Sequence, residues 1–568
     1  MKKNIIAYLL AFVSVLAINI QLNHFALTFT ESFSGNDIVY VFLLFIIAEF
    51  FKKTFTIKDK RIIKISILLA VIIGVIEIVG YSLNTYGDLG NIFYSPMIVF
   101  KNLIKFVGYS MISYSVFAFL LEKAKNLNIN KLKFPINKKI FFIIWAIIFI
   151  CWLPYFFYYY PGICSFDSIE QLSQALGYIP LNNHHPIIHT FIIYLCTLIG
   201  TKIGTITTAV AIYSIFQMLA MSAIFSFLIY YLLKRKVNIF VIILTFLFVM
   251  LSKVTALYSF TMWKDILFAG FFLLFVIYLL EVIHINNFLT KKSNIIIFIC
   301  ITFLVMTLRN NGLYVILLSF LLILILLKKH RKIFGIIFII SIFCYGIYKG
   351  PVFILLDIKK EASVDALSVP LQQMARLERD KRHELSNKEK AKIDKWFKEK
   401  EIGNKYLSRL SDPVKLNFKN DYFNKHKKEF IIDWFSLFVR YPGIFVESFL
   451  TNSYGYWYPE TNYWAYSTGI HENNFDLSNN FEIKYNRVDE RSIPLISMVY
   501  SIGFAFILLL FAGALAIYKK QYLNLISFIP VLTLLLTTMA SPVYAEYRYI
   551  YGMILCVPLL LGMTLRNE

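Results

Sequence analysis

The sequence predicts an all-α polytopic membrane protein with about 14 transmembrane helices. Two observations carry that prediction. Of 568 residues, 58% are hydrophobic and only 16% charged, and the mean hydropathy is +0.65; a soluble chain has about a quarter charged residues. Apolar runs long enough to cross roughly 30 Å of hydrocarbon also recur along the chain, punctuated by Lys/Arg clusters. The net charge of +23 therefore reads as cytoplasmic loops facing anionic membrane lipids, not as a nucleic-acid surface. The six cysteines lie in or beside apolar segments, which argues against a disulfide framework or a CxxC metal site. Abundant Ile, Lys, Asn, Phe and Tyr suggest an AT-rich genome and hence a bacterial cytoplasmic membrane.

Taken in order, apolar runs begin near residues 4, 37, 62 and 93. No small-residue cleavage site is evident after Met1-Lys2-Lys3, so the first run reads as a span and not a signal peptide. Lys52–Lys64 and Lys123–Lys139 are basic, whereas 22–37 and 83–92 are poor in Lys and Arg, which puts the N-terminus inside. Residues 1–130 thus form a four-helix membrane extension. A fifth span, about 139–160, leads out to the loop 161–186. Ile187–Gly200 is short for a span and suits an interfacial helix; leaving it on the outer surface keeps Lys234-Arg235-Lys236 inside. Spans at about 206–232, 237–252, 263–283, 294–309, 312–328 and 333–356 complete a membrane core over 131–356, with the outer loop 161–200. Residues 357–491 are expected to be an extracytoplasmic, mostly helical segment, and 492–568 hold three last spans (about 493–517, 522–540, 547–565). There is no Walker loop, no GxGxxG following a strand and no HExxH.

The stretch Tyr160-Pro-Gly-Ile-Cys-Ser-Phe-Asp167-Ser-Ile-Glu170-Gln171, followed by His184-His185-Pro186, is a polar loop directly after a span. An acid and paired histidines at such a junction point to a site. Asp167 and Glu170 fit a capping box, with Asp167, Gln171 and Gln174 on one helical face. Asp167 is then either a cap or a general base at a water-poor cavity mouth. His185 and His189, four apart, suit a metal if helical, but no third ligand is evident, and His184 and His185 read better as substrate-positioning groups. Trp263-Lys264-Asp265, Arg309-Asn310-Asn311-Gly312 and Glu546-Tyr547-Arg548-Tyr549 lie at predicted outer ends of spans. Singly, each is equally an interface anchor. Together, Asp167, Glu170, His184, His185, Lys264, Asp265, Arg309 and Arg548 fall on one side, which supports an outward cavity with several cations for a phosphate-bearing lipid. The hydrophilic segment adds Arg376, within Pro370–Arg376, and the aromatic run with Trp457 and Tyr458, suited to a sugar face or to the interfacial belt.

An outer acidic motif, Phe166-Asp167-Ser168, followed by His185-Pro186 opening a juxtamembrane helix, resembles the GT-C superfamily of membrane glycosyltransferases. The wider set, with Pro161-Gly162, Gln171, Trp263-Lys264-Asp265, Arg309-Asn-Asn-Gly312 and Gly455–Pro459, is similar to an uncharacterised firmicute membrane-protein family (DUF6020-like). The resemblance runs from about residue 139 to the end. It implies a GT-C-like core with outer juxtamembrane helices and a polyprenyl-phosphate sugar donor. Asp167 would deprotonate or orient the hydroxyl of a cell-envelope acceptor (glycan, teichoic acid, glycolipid or protein) for inverting transfer. Arg309, Lys264 or Arg548 would offset the phosphate charge, and Asp265 would match a second outer acid. A single Asp followed by Ser, where mannosyltransferases have Asp-Glu, leaves a divalent metal open and no ligand assigned.

Two other classes compete. A lipid-linked glycan flippase or transporter should show internal repeats and ionisable groups near the midplane. No repeat is evident and the ionisable residues cluster at outer ends, which favours the enzyme. A polysaccharide polymerase or ligase shares the outer loop and cations but uses a lipid-diphosphate donor.

Overall fold

A computed structural model describes the chain except residues 1, 21, 23–36, 126–135, 360–362, 462, 464, 481–492, 494, 542 and 567–568. Part of the basic stretch expected at Lys123–Lys139 and of the span expected from 493 therefore lies outside the described residues. Helices α1 Lys2–Asn19, α2 Asp37–Thr54, α3 Lys60–Tyr86 and α4 Pro96–Lys125 open the chain. Next come α5 Lys138–Tyr158, α6 Phe166–Ala175, α7 Ile187–Ile203, α8 Ile206–Lys234, α9 Ile239–Leu251 and α10 Lys253–Tyr258. Then follow α11 Lys264–His284, α12 Lys292–Leu308, α13 Gly312–Leu326, α14 Arg331–Ile347 and α15 Phe353–Leu355. The hydrophilic segment holds α16 Ser368–Lys381, α17 Asn387–Asp394, α18 Asp412–Leu416, α19 Asn420–Lys425, α20 Lys427–Arg440 and α21 Pro442–Thr451. The last helices are α22 Ile496–Tyr500, α23 Ile502–Tyr518, α24 Phe528–Met539 and α25 Tyr547–Leu565. Among the described residues there is no strand, only isolated bridges.

The architecture is that of a helical membrane protein. Seven helical stretches are long and apolar enough to cross a membrane: α3, α4, α5, α8, α11, the stretch Lys328–Leu355 around α14, and α25. Most other expected spans form apolar helices of 10–17 residues. Two runs are interrupted. Ser501 separates α22 from α23 because its side chain accepts the Phe504 N–H and caps the second helix. A 3-10 turn, Asn524–Ser527, precedes α24.

Packing sorts these helices into three bodies. The α1–α4 group meets the rest where Ile62, Phe117 and Leu121 pack on Phe511 and Leu515 of α23. The central bundle surrounds α11, whose Ile266, Phe268, Phe272, Phe275 and Leu279 are fully enclosed. Residues 364–445 have an apolar centre of their own, around Met374, Trp396, Phe418 and Phe430. That segment is clamped to the C-terminal end of α3: Arg409 donates to the Asn84 carbonyl at 2.6 Å, and the Leu89 N–H donates to Glu447 at 2.9 Å.

The short run at 187 extends to Ile203 and folds back on α8. Gly200 sits on Ala209, and His189 on Tyr213. Both contacts lie in the first third of α8, far from Lys234.

Candidate functional site

The loop after α5 is fixed by backbone pairing on both sides. Ile163 N–H donates to Phe260 O (3.3 Å) and Ile163 O accepts from Met262 N–H (2.9 Å), while Cys164 N–H donates to Gly469 O (3.3 Å) and Cys164 O accepts from His471 N–H (2.9 Å). Gly162, at φ 149°, is required here because a Cβ would lie 2.2 Å from Ser214 Oγ. This clamp aims α6.

The cap of α6 differs from the expected one. Ser165 is the N-cap, its backbone N–H donating to Ser168 Oγ at 3.1 Å, and Trp263 Nε1–H donates to Ser165 Oγ. Ser168 Oγ in turn donates to Met262 O at 2.8 Å. Two hydroxyls satisfy the helix start, so the Asp167 carboxylate, in the first turn, is left to face other groups.

Those groups come from two helix starts. Asp167 Oδ2 lies 3.0 Å from Arg548 Nη1 of α25 and 3.3 Å from Lys264 Nζ of α11. Lys264 also donates to His185 Nδ1 at 2.7 Å. An ammonium can only donate, so the neutral ring carries its hydrogen on Nε2 and gives it to Glu170 Oε2 at 3.2 Å. The Arg548 guanidinium stacks over Trp263 (4.7 Å), with Nε 3.4 Å from Glu546. Beside it, Arg309 Nε is 3.1 Å from the enclosed Asp265, Nη1 donates to Tyr549 O at 2.7 Å, and the guanidinium lies 4.4 Å over the Tyr549 ring. Asn310 donates to Asn183 O at 2.9 Å and so ties the α12–α13 turn to the histidine loop. His184 is exposed, its ring against that of His185.

The electrostatics follow from these contacts. Burial pushes Asp167 up, but Lys264 and Arg548 outweigh it and hold the carboxyl well below its usual range. The hydrogen bond from His185 lowers Glu170. Burial, with Lys264 beside it, lowers His185. Glu546 is pushed up to about 8, chiefly by burial. The several expected cations are all paired: Lys264, Arg309 and Arg548 each touch a carboxylate.

Several expected site residues are occupied elsewhere. Gln171 turns inward, donating to Thr190 Oγ1 (2.9 Å) and pairing through Oε1 with His189 Nδ1 (3.0 Å). His189 Nε2 meets Tyr213 Oη at 2.6 Å. With both its nitrogens engaged, His189 does not form a ligand pair with His185, which precedes the helix. Glu170, His184 and His185 do have ligand atoms within 4.8 Å of one another, yet both His185 nitrogens are used. Beside Asp167, Ser168 spends its hydroxyl on Met262 and two cations stand where a metal would be repelled. The residues around Asp167 therefore do not fit a divalent metal. Arg376 is enclosed within the hydrophilic segment, bonding Glu447 (2.7 Å), Thr451 (2.9 Å) and Tyr406 (3.2 Å). It staples α16 to α21 and reaches the Gly87 carbonyl at the end of α3. Tyr458 is enclosed against Gly80 of α3 and donates to Glu460 at 3.0 Å, so its ring is no open sugar platform; Trp457 packs in the same cluster, half-buried.

Two features were not anticipated. Trp263 and Tyr549 carry the stacked guanidinium groups, and only their sequence neighbours hinted at it. Ionisable residues are also not confined to helix ends: Glu77 of α3 and Lys105 of α4 are buried in the first bundle, with Lys105 5.5 Å over Tyr81 and 5.3 Å over Tyr109. A charge inside an apolar run was the available signal.

An apolar groove of about 980 Å³ runs between α4, α9, α23 and α25, lined by Leu120, Leu244, Phe248, Phe504, Ile554 and Leu561. Val499 at one end accepts the Tyr547 hydroxyl at 2.9 Å, one residue from Arg548.

Residues 177–568 match the family of unknown function DUF6020. The chain belongs to that family. The matched stretch includes His184, His185, Lys264, Arg309 and Arg548, whereas Asp167 and Glu170 precede it. No curated protein and no solved structure matches the chain.

Proposed function

We propose that the chain is a GT-C-like glycosyltransferase that moves a sugar from a polyprenyl-phosphate donor to a cell-envelope acceptor at the outer face of the bacterial cytoplasmic membrane. One observation carries the reading: an ionised acid, Asp167, is shared by Arg548 and Lys264, and Tyr547, the residue before Arg548, bonds Val499 in the lining of an apolar groove. That is the polarity of a lipid phosphate, with a charged head and an apolar tail. In this reading the tail lies in the groove and the phosphate draws Arg548 and Lys264 away from Asp167. The acceptor hydroxyl oxygen attacks the anomeric carbon, the bond from that carbon to the phosphate oxygen breaks, and polyprenyl phosphate leaves with both electrons. Asp167 takes the hydroxyl proton, and the anomeric centre inverts. Trp263 supports Arg548 by stacking, and His185 fixes Lys264. Fourteen spans with the site outside belong to the same proposal.

The test is to incubate purified protein in nanodiscs with a panel of labelled undecaprenyl-phosphate sugars and measure released lipid phosphate. At least one donor should be consumed by the native protein and by no Asp167→Asn sample. Full turnover in that variant would remove Asp167 from the chemistry.

A second reading, transport of a lipid-linked glycan, draws on the buried Glu77 and Lys105, since charges inside spans mark ion or substrate paths. Passage of labelled lipid across sealed vesicles without sugar transfer would favour it.

A further inference from the structure

Helix α20, Lys427–Arg440, presents two opposite faces. Phe430, Asp433 and Leu437 face inward, where Trp396 Nε1–H donates to Asp433 at 3.1 Å and Phe430 packs on Trp396 and Phe418. On the other side Ile431, Ile432, Phe435 and Val439 are 54–66% exposed. At 100° per residue these four fall within about one quadrant of the helix. A soluble surface scatters such residues singly; a contiguous stripe marks a partner.

Two observations say which partner. The stripe is headed by cations: Lys425, Lys427 and Lys428 stand exposed at its start, while Arg440 at its end pairs with Glu389 at 3.1 Å. The segment also sits at the level where a span ends. After Tyr441, α20 continues into α21, which packs on α3 and whose Glu447 accepts the Leu89 N–H at 2.9 Å. Val446 of α21 is exposed as well. In the turn between α3 and α4, Phe93 and Tyr94 are 76% and 65% exposed, as aromatic residues at a membrane boundary are.

We infer that α20 is an interfacial helix: Ile431, Ile432, Phe435 and Val439 lie in the headgroup–acyl boundary of the bilayer into which α3 inserts, and Lys425, Lys427 and Lys428 hold anionic phospholipid headgroups. A helix with an apolar face and basic flanks binds in this way, and long basic side chains reach up to the headgroups from such a position. The residues 366–451 are then a cap resting on the membrane, not a domain held clear of it. This anchors the α16–α21 body at two places, on α3 and on lipid.

The test uses the full chain in vesicles of phosphatidylglycerol and phosphatidylethanolamine. Ile432→Cys, Phe435→Cys, Val439→Cys and Lys427→Cys are each spin-labelled, with label on native cysteines subtracted using the unsubstituted protein. Collision rates with oxygen and with a water-soluble nickel chelate are then compared. Positions 432, 435 and 439 should favour oxygen several-fold over the chelate, and position 427 should not. Removing phosphatidylglycerol should shift all three toward the aqueous value. Aqueous accessibility at 432, 435 and 439 overturns the inference. So does spin–spin broadening that grows with protein density, which would make the face a contact between copies of the chain.

Discussion

Replacing Asp167 by Asn should make the protein bind a prenyl phosphate more tightly while it loses sugar transfer. Asp167 Oδ2 now takes Arg548 at 3.0 Å and Lys264 at 3.3 Å, the two cations a phosphate would need. A bound phosphate must displace the carboxylate and then sit within about 4–5 Å of it. Like unit charges 4 Å apart repel by about 4 kcal/mol at an effective dielectric of about 20. The Asp167 side chain is 30% exposed, so solvent screening leaves roughly 1.4–2.8 kcal/mol, a 10- to 100-fold gain in affinity for the neutral amide. The assay is the Kd for undecaprenyl phosphate in nanodiscs at fixed salt, with Arg548→Met as the opposing variant. Arg548→Met should bind at least about tenfold more weakly, since it removes a charge-assisted contact. An Asp167→Asn protein that binds equally or more weakly refutes the competition between carboxylate and phosphate. If native protein and both variants fail to bind, the lipid-phosphate reading itself falls.

Two further outcomes rest on other contacts. A Cβ on Gly80 would lie 2.2 Å from the Tyr458 ring, so Gly80→Ala should cost about 1–3 kcal/mol by overpacking and lower the thermal midpoint; an unchanged midpoint would mean that α3 and the 454–460 segment do not pack this way. Glu546, pushed up to about 8 by burial from an ordinary 4.5, holds in the folded chain a proton that the unfolded chain releases. Stability from this group is therefore full below about 4.5 and lost as pH rises toward about 8. Glu546→Gln should unfold at the native temperature at pH 5 and at a higher one at pH 8.5; parallel pH profiles for the two proteins would refute the buried acid.

The sequence alone determined the class of the molecule and which groups share an end of it. The spacing of apolar runs sets where a helix stops, and a residue one position beyond a stop can meet only residues at that same end. Hence Asp167, Glu170, His184, His185, Lys264, Asp265, Arg309 and Arg548 were legible as one group before any contact was known. Tertiary structure decided who touches whom. Whether Ser165 or Asp167 caps α6 depends on Trp263, 98 positions away. Gln171 turns to His189 because α7 folds back on α8, and Tyr458 and Arg376 are taken up where 366–460 docks on α3. Loop charge and periodicity are local quantities and carry no record of these pairings. Packing distributes hydrogen bonds and counter-charges over the whole chain, and it alone left Asp167 to two cations.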